Sequence, residues 1–554
     1  MPNRQRTLIV SIALFLAVCL AYCAAWRFEF VHYDDNNHIF SNPRVNSGLT
    51  ADNVRWAFGQ FNGAQWVPLT WVSFMIDVSI FGLNPGAMHG VNILLHAFNA
   101  VLLFVFLKRM TLEFWSAALV AALFALHPIN AESVAWVSER KNVLSTFFWL
   151  LSALSYVRYT HSLHRAWLAG SFVALALGLM VKAMLVTLPF TLLLIDVWPL
   201  ARHRTTSWTR LVVEKIPLFI LAIGASVLQM RAAVSDGLLW EGGDAPTFTY
   251  RLLNAGANIL HYLQMLVVPT DYAPMLPLPQ TAPVALGIAG WTFTAIVLAT
   301  GWRFRKTAPF VLTGFLWFLG TQVPVSGIVG AGDAVLCDRY MYVPQIGIWI
   351  ALVWTLQTVA RKMSRGSLAT ASSIVLALLG VMTFQTAGHW KNSTELFQQA
   401  AAVSPQSIVA QKLAGWSLAR DGRLRESLEF YNAALKLAPM HIEARTSRAV
   451  VLGRLGQNAA AISEFRTVLA AEPGNSEARL NLATQLFATG ANAEARATLD
   501  GIKQSAERTA TVEYWRARIA DADGRRAEAR QHYATALTLA KDEGWKFDAS
   551  ERVK

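Results

Sequence analysis

The chain has 554 residues, 54% of them hydrophobic and only 15% charged, with 20 Trp, and this composition excludes an ordinary soluble globular protein. The formal net charge of +13 would suit a nucleic-acid partner in a soluble protein. Here the basic residues fall between hydrophobic segments, as the positive-inside rule requires, and that pattern argues against nucleic acid. Cys19 and Cys23 lie one helical turn apart in the first apolar segment and Cys337 stands alone, so no disulfide framework is implied.

Residues 7–26 are about as long as a bilayer core is thick and follow the basic start MPNRQR. They predict an uncleaved anchor with a cytoplasmic N-terminus, the apolar run being too long for a signal peptide. Arg4 and Arg6, Lys108 and Arg109, Arg158 and Arg165, Arg202 to Arg210, Arg303 to Lys306, and Arg361 to Arg365 mark successive cytoplasmic stretches. Parity then makes residues 27–87 a large outer loop. Crossings are predicted at 88–107, 113–127 and 142–157, in a hairpin of two over 166–198 that turns near Lys182, and at 211–230, 285–302, 308–323, 340–359 and 368–386. The apolar piece 252–268 does not fit that parity as a single crossing and is expected to be re-entrant or to lie along the membrane. The reading is an all-α polytopic domain of about eleven spans over residues 1–386, with the rest of the chain outside.

From residue 387 the character changes. Gly388, Gly422, Gly456, Gly490 and Gly524 recur with a fixed spacing, and Pro405, Pro439 and Pro473 share it. This is the roughly 34-residue period of the tetratricopeptide repeat (TPR), in which Gly fits the tight turn and Pro ends the second helix. Small residues at Gly415, Ala449, Ala483 and Ala517 fall where paired helices touch, and bulky ones recur at Phe397, Tyr431, Phe465, Leu499 and Tyr533. Residues 387–554 are therefore read as a superhelix on the outer side whose concave face binds an extended peptide or another protein.

The outer loops collect polar residues from stretches far apart in sequence. The first carries Asp34, Asp35, His38 and Asp77, and the segment after 113–127 supplies His127, Glu132, Glu139, Arg140 and Lys141. Lys182 interrupts the hydrophobic hairpin, and the last large loop supplies Asp333, Asp338, Arg339, Tyr340 and Tyr342. Charges at a membrane face are costly and mark a functional site. A carboxylate such as Asp35 accepts a proton from a hydroxyl nucleophile, while Lys182, Arg339 and Lys141 neutralise a leaving lipid-linked phosphate. On this reading Asp35, Lys182 and Arg339 line one pocket. Against it stand plainer roles: Asp34 as a helix cap, Arg339 as a snorkelling side chain, Glu132 and Glu139 as a solvated helical face, Arg140 and Asp77 as structural charges, and His89 and His96 as packed polar residues.

The stretches HYDDNNHIFSNP, WVPLTWVSFMIDVSIFGLNPGAMHGVNILLHAFNA, LFALHPINAESVAWVSERKNVLS, VKAMLVTLPFTLLLIDVWPL and DRYMYVPQIG resemble bacterial relatives of the transmembrane and tetratricopeptide-repeat (TMTC) proteins, of the GT-C superfamily of glycosyltransferases. The resemblance implies a GT-C-like membrane domain in the bacterial inner membrane, with periplasmic repeats. It implies inverting transfer of a sugar, mannose in the animal relatives, from a polyprenyl-phosphate carrier to a hydroxyl of a protein acceptor. The superfamily's acid pair maps onto Asp34 and Asp35. Its lipid-phosphate cations are less well fixed by motif, so Lys182, Arg339 and Lys141 follow from position, with His38, His127, Glu132, Asp338, Tyr340 and Tyr342 as candidate pocket residues. Here the hairpin reads VKAM where the animal proteins have a Lys-Glu pair, so Ala183 removes an acid. Some branches of the superfamily use a divalent ion, Mg or Mn, for which Asp34, Asp35 and His38 supply part of a hard-cation site. Two alternatives stand beside this: a glycolipid or cell-wall glycan glycosyltransferase, and a non-catalytic membrane-anchored TPR assembly scaffold.

Overall fold

The computed structural model describes residues 3–61, 65–235, 237, 246–270, 272, 276–277, 279, 281–328, 334–360, 364–502, 506–540 and 546–553. Arg361, Lys362 and Asp333 lie outside the described residues. The described secondary structure is helical, apart from one short antiparallel pair, Leu276–Pro277 against Ala334–Leu336. The chain divides into two compact units, Met1–Gln399 and Ala400–Lys554.

In the first unit a helix occurs at each apolar segment read from the sequence. Five are at least 18 residues long and apolar enough to cross a bilayer: Asn3–Ala21, Pro85–Thr111, Ile216–Ser235, Val284–Arg303 and Gly366–Gly388. Phe114–Leu126 and Pro128–Ala135, bent by 54°, make a sixth if they form one span. Pro68–Phe81, Arg165–Leu179, Ala183–Val197 and Pro309–Val325 are shorter apolar helices. Length and apolarity thus account for five or six of the crossings expected. The 252–268 segment is one unbroken helix, Phe248–Val267. Its Gly256 meets Gly287 and Gly290 so closely that a Cβ on Gly290 would fall 1.8 Å from the Gly256 carbonyl oxygen. The helix lacks the break at a tip that a re-entrant segment needs.

The 27–87 loop is itself folded. Asn42 caps Pro43–Asn46 by accepting from the Arg44 and Val45 amides, and Thr50 caps Ala51–Gly59 by accepting from Asn53. Ile39, Val45, Ala57, Trp71, Phe74 and Met75 close a small core that also includes Met88 and Val137, so burial of apolar area fixes the 31–40 segment against the start of the Arg140–Ser162 helix. Between Arg165–Leu179 and Leu188–Val197 the helix is interrupted where Lys182 takes extended backbone, followed by the 3-10 turn Ala183–Thr187.

The second unit is built of helix pairs: Ile408–Arg420 with Leu424–Leu437, Ile442–Arg454 with Asn458–Ala471, Ser476–Ala488 with Asn492–Asp500, and Ala506–Ala522 with Arg526–Leu539. Gly422, Gly456, Gly490 and Gly524 join each pair with φ between +75° and +79°, a conformation that favours glycine. Ser407, His441 and Asn475 each cap a first helix by accepting from the amide three residues on. Tyr431, Phe465, Leu499 and Tyr533 are buried, and a Cβ on Gly415 would sit 3.1 Å from the Tyr431 ring. Gly388 departs from this pattern. It ends the helix Arg365–Gly388 without a positive φ, and Phe397 packs in the first unit, 6.3 Å from the Tyr33 ring, because a membrane helix and not a repeat precedes it.

Candidate functional site

A dense polar constellation in the first unit is built on residues 138–142, where the 3-10 turn Val137–Glu139 runs into the helix Arg140–Ser162. Consecutive side chains of a tight helical turn point in different directions, and here they meet different loops. Ser138 donates both its amide and its hydroxyl to Asp35 Oδ1. Glu139 is 3.3 Å from Lys141 Nζ, 3.3 Å from Lys182 Nζ and 3.6 Å from Arg339 Nε. Arg140 pairs with Asp77 at 2.7 Å, donates to Asn92 and to the Met88 carbonyl, and lies 5.1 Å from the Phe74 ring centre. Asn142 accepts from Lys182 at 2.5 Å and donates to Ser133 and to the Arg339 carbonyl.

Three cations from three separate segments thus surround one carboxylate that is only 1% exposed. Burial alone would raise the Glu139 pKa, but Lys182, Lys141 and Arg339 outweigh it and hold the carboxyl down at about 2. Burial lowers Lys182 to about 8, helped by the like charges of Lys141 and Arg339 and opposed by Glu139. Arg339 is also gripped by Glu132, which accepts from its backbone amide at 2.7 Å and from its guanidinium at 2.5 Å. Trp136 forms an aromatic floor: its ring centre is 5.0 Å from Tyr33 and 5.2 Å from the stacked Trp390, with Lys141 at 5.9 Å and Arg339 at 5.5 Å.

The acid pair is split. Asp35 is fully buried and turns both oxygens to fixed donors, Oδ1 to Ser138 and Oδ2 to the Val31 amide at 3.0 Å. Burial raises its pKa to about 6 against the pull of those hydrogen bonds. Asp34 is 40% exposed and lies 3.9 Å from His38 Nε2. His38 is pushed down to about 4 by burial and then by Lys141, so it is neutral near pH 7.

Of the other residues singled out in the sequence, Lys141, Lys182, Arg339 and Glu132 converge on this cluster. Asp35 reaches it only through Ser138. Asp338 and Glu132 line a cleft with Tyr272, His389 and Trp390, and Tyr340 packs on the Arg339 guanidinium. Tyr342 turns into the helices, where its hydroxyl meets His96 Nδ1 at 2.6 Å and Asn99 at 3.2 Å. His127 is buried elsewhere, Nε2 3.2 Å from the Leu266 carbonyl and Nδ1 accepting from Ile129. Glu132 and Glu139 are buried and form no solvated face, while Arg140 and Asp77 pair with each other as structural charges. Ser138 and Asn142 were not singled out in the sequence; the signal available was a wholly polar SERKN run in a connection too short to sit far from the apolar segments on either side. Among the described residues no group of three His, Cys, Asp or Glu side chains is arranged to hold a metal ion. With Asp35 committed to Ser138 and Val31, Asp34 and His38 make too small a donor set for a hard divalent cation.

Fold and site together define a polytopic helical membrane protein with a charged, aromatic-floored cluster and a tetratricopeptide-repeat unit. Residues 454–519 match the tetratricopeptide-repeat family model. The chain is similar to Homo sapiens protein O-mannosyl-transferase TMTC1, 25% identical over 454 residues that cover 71% of this chain and 51% of that protein. Mus musculus protein O-mannosyl-transferase TMTC1 is 36% identical over 154 residues, covering 26% of this chain and 16% of that protein. Homo sapiens protein O-mannosyl-transferase TMTC2 is 26% identical over 335 residues, covering 56% and 38%. The chain therefore spans about half the length, or less, of the relatives it matches. The resemblance to the TMTC proteins read from the sequence holds.

Proposed function

We propose that the chain is a GT-C type membrane glycosyltransferase. It moves a sugar, mannose being the first candidate, from a polyprenyl-phosphate carrier to a hydroxyl of a protein acceptor on the outer, periplasmic side of the inner membrane. The observation that carries this reading is the gathering of Lys141, Lys182 and Arg339 around Glu139 beside the accessible Asp34. The names of the similar proteins support the reaction class.

In the reaction the acceptor oxygen attacks the anomeric carbon as the bond from that carbon to the phosphate oxygen breaks, inverting the centre. Asp34 takes the hydroxyl proton, its exposure leaving an oxygen open to the acceptor. Asp35 holds the loop that presents Asp34. The electron pair leaves with the lipid phosphate, whose charge falls to Lys182, Arg339 and Lys141. The repeats bind the polypeptide acceptor. Incubating the purified protein with a panel of polyprenyl-phosphate sugars and a protein acceptor tests this: release of lipid phosphate with sugar on the acceptor is expected, and no release from any donor overturns it. Deleting Ala400–Lys554 should abolish transfer to protein while sparing slow donor hydrolysis; undiminished transfer would redirect the acceptor to a lipid or glycan.

A further inference from the structure

Glu139 is an unexpected residue for a phosphate subsite, since an acid repels the ligand. Yet all three cations share it, at 3.3, 3.3 and 3.6 Å, and each cation arrives on a different element. Lys141 belongs to the Arg140–Ser162 helix, Lys182 to the break before the Ala183–Thr187 turn, and Arg339 to the 3-10 turn Asp338–Met341. Without an anion between them, three like charges this close would drive one another apart or discharge the most easily deprotonated member. The other carboxylates nearby are placed differently: Glu132 bonds Arg339, and Asp34 lies 3.9 Å from His38 and is 40% exposed. The acid itself is fixed in place, because Arg140 next to it is locked on Asp77, Asn92 and the Met88 carbonyl.

We propose that Glu139 is a positioning residue of the lipid-phosphate subsite, whose carboxylate gathers Lys141, Lys182 and Arg339 into one anion-binding set. This rests on the reading of the site as a lipid-phosphate site. Lys182 is the member that titrates in a useful range. Its partners are Glu139 and Asn142, with Lys141 and Arg339 facing it as like charges. Its pKa of about 8 is already below the ordinary value, and loss of the one carboxylate that raises it should lower it by a further 1–3 units or so.

The experiment is binding of a long-chain polyprenyl monophosphate to the full chain in lipid nanodiscs, across pH 6 to 9. In the unaltered protein affinity should fall as pH rises through about 8, because Lys182 loses its charge there. In Glu139→Gln that fall should move to lower pH by about 1–3 units, leaving affinity at pH 7 about tenfold weaker. Lys182→Arg should remove the alkaline fall, since a guanidinium stays charged, and Glu139→Gln/Lys182→Arg should regain affinity at pH 7. A purely structural Glu139 would give a loss that is flat with pH and not rescued by the arginine. Should Glu139→Gln fail to fold, Lys182→Arg alone decides: an unchanged alkaline fall overturns the proposal. Absence of monophosphate binding by the unaltered protein would remove the lipid-phosphate reading itself, whereas binding with identical profiles in all variants removes only the role of Glu139.

Discussion

The helix Arg140–Ser162 carries a buried ionic cluster at each end, about 21 Å apart from Asn142 to Tyr156. At its C-terminal end Lys215 and Asp196 are both 0% exposed and pair at 2.5 Å. Tyr156 donates to both Asp196 oxygens at 2.8 Å, while Arg202 bridges Asp196 and Glu214 at 3.3 and 2.9 Å. Lys215 directs its three donors to Tyr156, Asp196 and the Leu211 carbonyl. That network is closed: its acids and cations come mostly from residues 196–215 and saturate one another. At the N-terminal end Lys182 makes two of its three bonds and keeps 16% of its side chain exposed, and its neighbours come from residues 139–142 and 339. A network whose buried Lys215 spends all three donors on the protein pins a loop, while Lys182, with a donor left over, has capacity for an anion. Perturbing the two ends should therefore move different quantities.

The largest effect is expected beside the open end. Asp34→Asn keeps the shape of the side chain and removes the base, so turnover should drop by about two to four powers of ten with folding and donor binding intact. Sugar transfer at the unaltered rate would refute the assignment of the base. At the closed end Lys215→Met leaves Asp196 short of a partner and should cost about 3–5 kcal/mol in thermal unfolding. Donor affinity of the protein that remains folded should not change. A selective loss of donor binding there would erase the distinction between the two ends.

How far the sequence foretold this contrast differs by element. The repeat glycines were legible because Gly422, Gly456, Gly490 and Gly524 are demanded by local backbone geometry, which a periodic sequence displays directly. The helices at the predicted crossings were legible from apolar length, but those inside 27–87, such as Ala51–Gly59 and Pro68–Phe81, were not. Lys182 stood out as a charge interrupting an apolar hairpin, and Arg339 as one of several polar residues in the last large outer loop. Glu139 did not stand out: its neighbours in sequence read as a polar helical face, and its burial is created by residues 43 and 200 positions away. Nor does adjacency tell which of Asp34 and Asp35 turns inward. That is decided by Ser138, about a hundred residues on.

Lys182→Ala sharpens the comparison at smaller amplitude. It removes one charge-assisted contact to the phosphate, worth about 1.5–3 kcal/mol, so donor affinity should weaken by roughly ten- to 150-fold. Stability should suffer less than in Lys215→Met, because Glu139 keeps Lys141 and Arg339. Isothermal binding and a thermal melt on the same preparation separate the two quantities. A melt shift as large as that of Lys215→Met would show the open end to be structural as well.

The smallest effect calibrates the rest. Gly456 sits at φ +76° with nothing within 4 Å of the place a methyl group would take, so Gly456→Ala meets no clash and bears only the strain of the left-handed backbone. That strain is about 1–2 kcal/mol. It should appear as a modest downward shift in the melting of the repeats, read by circular dichroism on the full chain. Because Gly456 belongs to Ala400–Lys554 and both ionic clusters belong to Met1–Gln399, lipid-monophosphate affinity and its fall near pH 8 should stay as in the unaltered protein. A change in that pH profile on so small a backbone strain would mean that the repeats act on the phosphate cations, and the contrast drawn between the two ends of one helix would no longer suffice to explain donor binding.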